Sequence, residues 1–224
     1  MQHQRFARLV TVGLMPALLV GCMTQITTRL QPSPAIGMES LAALGSIERR
    51  KAAIGLYIAP NLRGLEESRE LTQGHTVIVP IGSPFSAKLL QGLSYTFERV
   101  ALLDKPELTP DLNGLMNVEL VSSHVDLVGS RNIWSGQFTS QLSIILEVKA
   151  TLTNRNGDVV WVGTGAANQT GETTYTAYDA GSSSAAFGLN EPLNRAIDAA
   201  VTQIVSALKQ SESLRRFIAE LGAK

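Results

Sequence analysis

The chain has 224 residues, with 19 Lys+Arg against 19 Asp+Glu, 44% hydrophobic and 17% charged residues, and a single cysteine. That length suits one domain, or at most two small ones, and the apolar fraction excludes wholesale disorder. One cysteine excludes an internal disulfide framework and a Cys-rich zinc module, and zero net charge argues against a general nucleic-acid binder, which carries a basic excess or stripe.

Arg5 and Arg8 lead into a charge-free run from Leu9 to Val20. Such a run falls short of the roughly 20 helical residues that span a bilayer's hydrocarbon. It fits the apolar region of a secretory signal peptide. The run ends in Leu19-Val20-Gly21-Cys22. This tetrad resembles the lipobox of bacterial lipoproteins: leucine, a small or apolar residue, glycine or alanine, then cysteine. The resemblance implies that residues 1–21 are a cleaved signal peptide. Cys22 then becomes the mature N-terminus, carrying a covalent diacylglycerol and an N-acyl chain; no other cofactor is expected. The alternative is a short N-terminal anchor or buried helix with an accidental cysteine. That Cys22 is the chain's only cysteine favours lipidation, because a structural cysteine belongs in the apolar body. Met23 stands where an Asp would, by the family's sorting rule, retain the protein at the inner membrane. The resemblance therefore implies the periplasmic face of the outer membrane. One acyl chain binds a membrane only reversibly, at about 0.8 kcal/mol per buried CH₂, whereas two or three anchor it. Without the leader, 17 basic groups face 19 acidic ones.

Residues 22–51 read as the lipidated N-terminus and a linker. Thr, Gln, Ser, Pro and Gly dominate its first half, Pro32 and Pro34 favour extended chain, and Met38 to Lys51 allows a short helix. A 15-residue extended segment would reach about 50 Å. Residues 52–224 read as one domain. Ala52 to Ala59 is a buried strand. Residues 61–74 form a loop or a short helix around Leu65–Leu71. His75 to Ile81 is a second strand. Ser83 as N-cap and Pro84 at the first position open a helix with Phe85, Leu89, Leu90, Leu93 and Phe97 on one face, ending near Glu98. Val100 to Leu103 is a short strand, and 105–113 a connection.

From Leu115 the apolar period becomes two. Met116, Val118 and Leu120 share a face, while Val125 and Leu127 continue out of phase, which predicts a bulge or bend near 121–123. Residues 129–138 read as a polar connection. Leu142, Ile144, Leu146, Val148, Ala150 and Leu152 then alternate with polar positions in the most regular strand of the chain. Asn154 to Asp158 is a hairpin turn in which Asn-Gly supplies positive φ, and Val159 to Gly165 returns. Residues 168–189 are rich in Thr, Ser, Gly and Ala; the first part extends the hairpin, and Gly181 to Ser184 is a loop. Asn190-Glu191-Pro192 opens a last helix with the stripe Leu193, Ile197, Ala200, Val201, Ile204, Val205 and Leu208. Ser211 to Leu221 continues it or forms a separate helix. These elements predict an α+β fold. It is a two-layer sandwich with a mixed, mostly antiparallel sheet of about five to six strands and two amphipathic helices on one face.

No local catalytic motif stands out. Gly92 to Thr96 lacks the closing glycine of a nucleophile elbow, and no HExxH or phosphate loop occurs. His75 and His124 sit singly in strands, so no metal site is expected. Glu66, Glu67 and Glu70 lie beside Arg63 and Arg69 as a solvated face. Trp134 and Trp161 read as packing residues rather than a sugar platform. Tyr175, Tyr178 and Phe187, around a Ser/Gly loop, are the candidate partner-contact surface; otherwise they cap an open end of the sheet.

The element order over roughly 52–210, with Asn156-Gly157-Asp158-Val159-Val160-Trp161 in the hairpin and Asn190 to Leu208 in the last helix, resembles small envelope lipoproteins of the LptE-like, YajG-like, CsgG-like and PelC-like kinds. No long amphipathic hairpin of the CsgG-type pore stands out. The resemblance implies a non-enzymatic accessory or assembly component of an envelope transport, secretion or surface-structure machine. Its partners would be an envelope protein complex, further copies of itself and the membrane through the lipid, with no nucleic acid. The alternative is a lipid-anchored periplasmic enzyme or solute binder acting on envelope polymers, recognisable by convergent carboxylates in a polar pocket.

Overall fold

The computed structural model describes residues 26–45, 49–72, 75–132, 137–176 and 183–223. They form an α+β fold with two sheets. Strands β2 (Arg50–Ile58), β5 (Phe97–Leu103), β6 (Gly114–Asn132), β7 (Gln137–Asn154) and β8 (Val159–Thr176) make a mixed sheet in the order β5-β2-β6-β7-β8. β2 pairs in parallel with β5 and β6, and the rest is antiparallel. Strands β1 (Ile26–Arg29), β3 (Glu66–Thr72) and β4 (His75–Pro80) make a second, three-stranded sheet in the order β1-β4-β3. Helices α3 (Gly82–Ser94) and α4 (Ser183–Gln210) pack on each other, with α3 along β5 and α4 along β7 and β8. Shorter helices α1 (Met38–Ala43), α2 (Pro60–Arg63) and α5 (Glu212–Gly222) complete the body.

The core follows the two periodicities of the sequence. Every second residue of β7 from Leu142 to Leu152 is fully buried, as are Leu193, Ile197, Val201, Ile204 and Leu208 of α4. The alternation places Ile145 on the opposite face, where it stays 41% exposed. The phase shift along β6 is a bulge, with the register slipping between Leu120 and Ser122. The slip restores Val125 and Leu127 to the core side.

Several elements differ from the sequence expectation. There is no helix around Leu65–Leu71; residues 61–72 divide into the end of α2 and the strand β3. The strand wins because β4 offers it an antiparallel partner from Glu66↔Pro80 to Thr72↔His75. Helix α3 begins at Gly82, with no side-chain cap from Ser83, and stops at Ser94. Gly82 is required there, since a Cβ would lie 2.1 Å from the Leu62 carbonyl oxygen. Phe97 belongs to β5, so that strand starts three residues before Val100. Residues 129–132 and 137–138 are strand rather than connection, with Asn132 opposite Gln137.

The 154–158 turn has only Gly157 at positive φ, +85°. Its N–H bonds to the Asn154 carbonyl, and the Asn154 N–H to the Asp158 carbonyl, at 3.1 and 2.9 Å. That is a three-residue loop closed by a glycine bulge rather than a two-residue primed turn. Helix α4 begins at Ser183, leaving Asn190 and Pro192 in its interior, while Ser211 caps the separate α5 by accepting the Leu214 N–H.

The largest departure concerns the expected linker. Residues 26–45 are built into the body: β1 joins β4, and Leu30, Ile36 and Leu44 are buried at 1%, 7% and 6% exposure. From Gln31, opposite Asn190, to Leu44, whose carbonyl meets Lys209, this strap follows α4 toward its C-terminus.

Candidate functional site

The strap is a stretch of chain with no ladder partner, so its donors must be satisfied otherwise. Pro32 and Pro34 have no N–H to satisfy. From Gln31 to Gly37 the other donors go to side chains. The Gln31 N–H reaches Asn190 Oδ1 at 2.8 Å, Ser33 N–H reaches Asn194 Oδ1 at 2.9 Å, and Ala35 N–H reaches Ser33 Oγ at 3.1 Å. Ile36 N–H reaches Gln91 Oε1 at 2.9 Å, and Gly37 N–H reaches Asp198 Oδ2 at 3.0 Å. Asn190, Asn194 and Asp198 recur every fourth residue of α4 and therefore form one stripe. Gly37 allows the close approach, since a Cβ would stand 2.8 Å from Asp198 Oδ2.

Beneath the strap lies a buried ion pair. Lys88 of α3 is fully buried, and its Nζ donates to Asp198 Oδ1 at 2.8 Å and to Asn194 Oδ1 at 3.1 Å. A buried charge is tolerated only when paired and hydrogen-bonded. Here Asp198 neutralises Lys88 and holds Gly37 with its other oxygen. The arrangement latches α3, α4 and the N-terminal strap together. A second clasp is Arg29, which forms an ion pair with Glu66 across the three-stranded sheet; that hydrogen bond holds the Glu66 carboxyl below its ordinary value. The latch is not evident from local sequence patterns, though two signals mark it. Lys88 interrupts the apolar face of α3 between Phe85 and Leu89, and the polar stripe on α4 runs beside an apolar one.

Cys22 and the lipobox residues Leu19, Val20 and Gly21 lie outside the described residues. So do Trp134 and Tyr178, together with the side chains of Tyr175 and Phe187. The backbone of Tyr175 lies on β8 opposite Phe138, and Phe187 lies in the first turns of α4. Trp161 is 8% exposed and belongs to the core. His75 pairs with Thr28 across β4 and β1, Nε2 to Oγ1 at 3.0 Å, and burial holds its pKa below the ordinary value. His124 is exposed on the open face of the large sheet. Glu67 pairs with Arg69 at 2.9 Å on β3. Among the described residues no group of three or more His, Cys, Asp or Glu could hold a metal ion. Hollows of about 270 and 240 Å³ lie beside Lys51, Glu98 and Arg99, and beside Arg29, Pro32 and Pro84.

No family model matches the chain, and no curated protein matches it. Solved structures with a similar course include a protein described as a neuraminyllactose-binding hemagglutinin homolog from Helicobacter pylori. It is 10% identical, with 80% of this chain and 94% of that one covered, at a TM-score of 0.38. A minor lipoprotein from Acinetobacter baumannii is 9% identical over 75% of this chain and 96% of its own, at 0.33. A protein described as a lipoprotein from Caulobacter crescentus is 14% identical over 83% and 96%, at 0.28. Two of these three neighbours are thus lipoproteins by description. At such scores the likenesses carry no argument about what this chain does.

Proposed function

We propose that this chain is a lipid-anchored protein of the bacterial envelope, acylated on Cys22 and held on the periplasmic face of the outer membrane. It works by binding rather than by catalysis, as an accessory component of a transport, secretion or surface-structure assembly. The observation that carries this reading is the tetrad Leu19-Val20-Gly21-Cys22 at the end of the charge-free run from Leu9. Lipid fixes the location, and tethering raises the effective concentration of the body near membrane-bound partners without any new contact. The partner is an envelope complex or further copies of the chain.

The test of the anchor is Cys22→Ala. The variant should take up no acyl label, stay as the uncleaved precursor, and fail to yield the mature lipid-bound form. Normal processing and membrane attachment of Cys22→Ala would sink the reading. For the binding role, crosslinking in cells followed by mass spectrometry should return a defined envelope complex or a ladder of self-crosslinks. A preparation that gives neither, yet turns over an envelope polymer, would replace the accessory role with an enzymatic one.

A further inference from the structure

The large sheet ends in two edge strands, β8 and β5. An uncovered edge is a row of unpaired N–H and C=O groups that a further strand can join. β8 is guarded. Its Ala166 N–H is taken by Gln203 Oε1 at 2.9 Å, and the exposed Thr164, Asn168, Thr170 and Glu172 line it with polar side chains. In the small sheet β3 turns toward β6, where Arg69 Nε donates to the Val125 carbonyl at 2.7 Å, and β1 has only four residues. β5 has no such cover.

The hydrogen bonds of β2 show which groups of β5 are free. Ala53 bonds Asn113 through both its N–H and its C=O, and the Ala59 N–H goes to the Val118 carbonyl. From Ala53 onward the odd residues of β2 therefore face β6. Its even residues face β5, where the register sets Ile54 beside Val100 and Leu56 beside Leu102. Backbone direction alternates along a strand, so Arg99, Ala101 and Leu103 are the β5 residues bonded to β2. Val100 and Leu102 aim their N–H and C=O groups outward, and among the described residues no hydrogen bond to these four groups is found. Their side chains extend the core. Met116, Leu56 and Leu102 form one row across three strands; the first two are fully buried, and Leu102 is 49% exposed. From Val100 to Leu103 the strand carries neither charge nor proline.

We propose that β5 is a self-pairing edge, through which two copies of the chain join antiparallel into one continuous sheet. The two-fold axis stands perpendicular to the sheet at Ala101. Such a contact is isologous and keeps the faces of both sheets in line, so residues of the same parity meet. With Val100 opposite Leu102 of the second copy, all four outward groups of each strand find a partner. The apolar row then runs on from Leu102 to Val100 and Ile54 of the second copy. A slip in one direction sets Leu102 against Glu98; a slip in the other sets Val100 against Asp104. Charge suits the same register. Asp104, held by Arg63 at 3.0 Å, brings that cation opposite Glu98 of the second copy. Arg99 falls opposite Leu103 and keeps its own partner, Asp111, at 2.6 Å. The proposal names where a further copy binds, and it does not depend on acylation of Cys22.

The axis supplies the test. Ala101 faces itself across it as a non-hydrogen-bonded pair, whose Cα atoms stand about 4.5 Å apart, within reach of a disulfide. The full chain carrying Cys22→Ala and Ala101→Cys has no other thiol. Extracted in a mild detergent and oxidised with copper phenanthroline, it should form a disulfide dimer at least tenfold faster than the same chain with Ile145→Cys in place of Ala101→Cys. Ile145 is 41% exposed on the open face and away from the edge, so it reports chance collision. Equal rates at the two sites overturn the proposal. Two further variants block the edge in the Ala101→Cys chain. Leu102→Lys sets a charge on it, and Leu102→Pro removes only an outward N–H. The variant that keeps the parent's melting temperature should crosslink at least fivefold more slowly. A folded edge variant that crosslinks at the unchanged rate also overturns the proposal. The anchor is read separately, by acyl label on the unsubstituted chain, so either reading can fail alone.

Discussion

Asp198 serves two structures at once, and its removal should be felt in both. Asp198→Ala leaves the Lys88 ammonium buried without its counter-charge and the Gly37 N–H without an acceptor. Breaking a buried pair from one side typically costs about 3–5 kcal/mol. Urea unfolding should show that loss for Asp198→Ala and for Lys88→Met, with the double variant Lys88→Met/Asp198→Leu recovering part of it. A loss below about 1 kcal/mol in both single variants would mean the pair is not what holds the strap. His75 gives a pH dependence of known sign. Burial lowers its folded pKa below the unfolded 6.5. Its contribution is therefore present above that value and is lost as pH falls through the folded pKa. The melting temperature should drop between pH 7.5 and 5, and His75→Gln should flatten part of that drop. Gly165 is a third sensitive point. A Cβ there would lie 2.2 Å from the Ala200 carbonyl oxygen, a backbone atom that cannot swing aside. Gly165→Ala should destabilise by about 1–3 kcal/mol and loosen α4 from β8, seen as faster amide exchange along both.

At the scale of elements, regular patterns were legible and tertiary choices were not. The period of two through Leu142–Leu152 and the stripe from Leu193 to Leu208 both predict the buried faces found, and the slip in phase predicts the bulge after Leu120. Glu66 to Thr72 is different. Its charges and single buried Leu71 carry little strand signal, and it becomes a strand because β4 lies alongside it. The Ser/Ala-rich stretch from Ser183 reads as loop, and Asn-Glu-Pro reads as a helix start. The helix instead runs through Pro192, whose ring packs where a Cβ on Gly171 would stand, at 2.7 Å. A direct check of face assignment is the pair Leu146→Lys and Ile145→Lys. The first buries an unpaired charge and should abolish cooperative unfolding. The second adds a charge on the exposed face and should shift stability by no more than about 0.5 kcal/mol. Equal damage from both would place the sheet's buried face wrongly. Charge at Ile204, also fully buried, should behave like the first.

For the whole molecule, composition misled in one place. Thr, Gln, Ser and Pro in 24–37 describe a solvated linker by every local rule. Yet residues 26–37 complete the fold, because side chains far along the chain supply the acceptors that a ladder would normally provide. Such long-range satisfaction leaves no local mark on the strap itself; only the Asn190, Asn194, Asp198 spacing and the lone Lys88 hint at it. The candidate lipidation motif is contiguous and is read from the sequence alone, since it lies outside the described residues. The strap's latch is not legible there, because its members are separated by as many as 161 positions.

That separation has a bearing on how the protein is made. The strap is among the first parts of the mature chain to be synthesised, and the acceptors on α4 are among the last. Until Asn190 to Asp198 have emerged, the Gln31, Ser33 and Gly37 N–H groups lack their acceptors and the strap stays open along α4. The final closure is a contact between the two ends of the chain, the kind of high-contact-order step that folds slowly. On the proposed reading, acylation of Cys22 would precede this closure, while the strap is still undocked from α4. Folding then closes the strap onto α4.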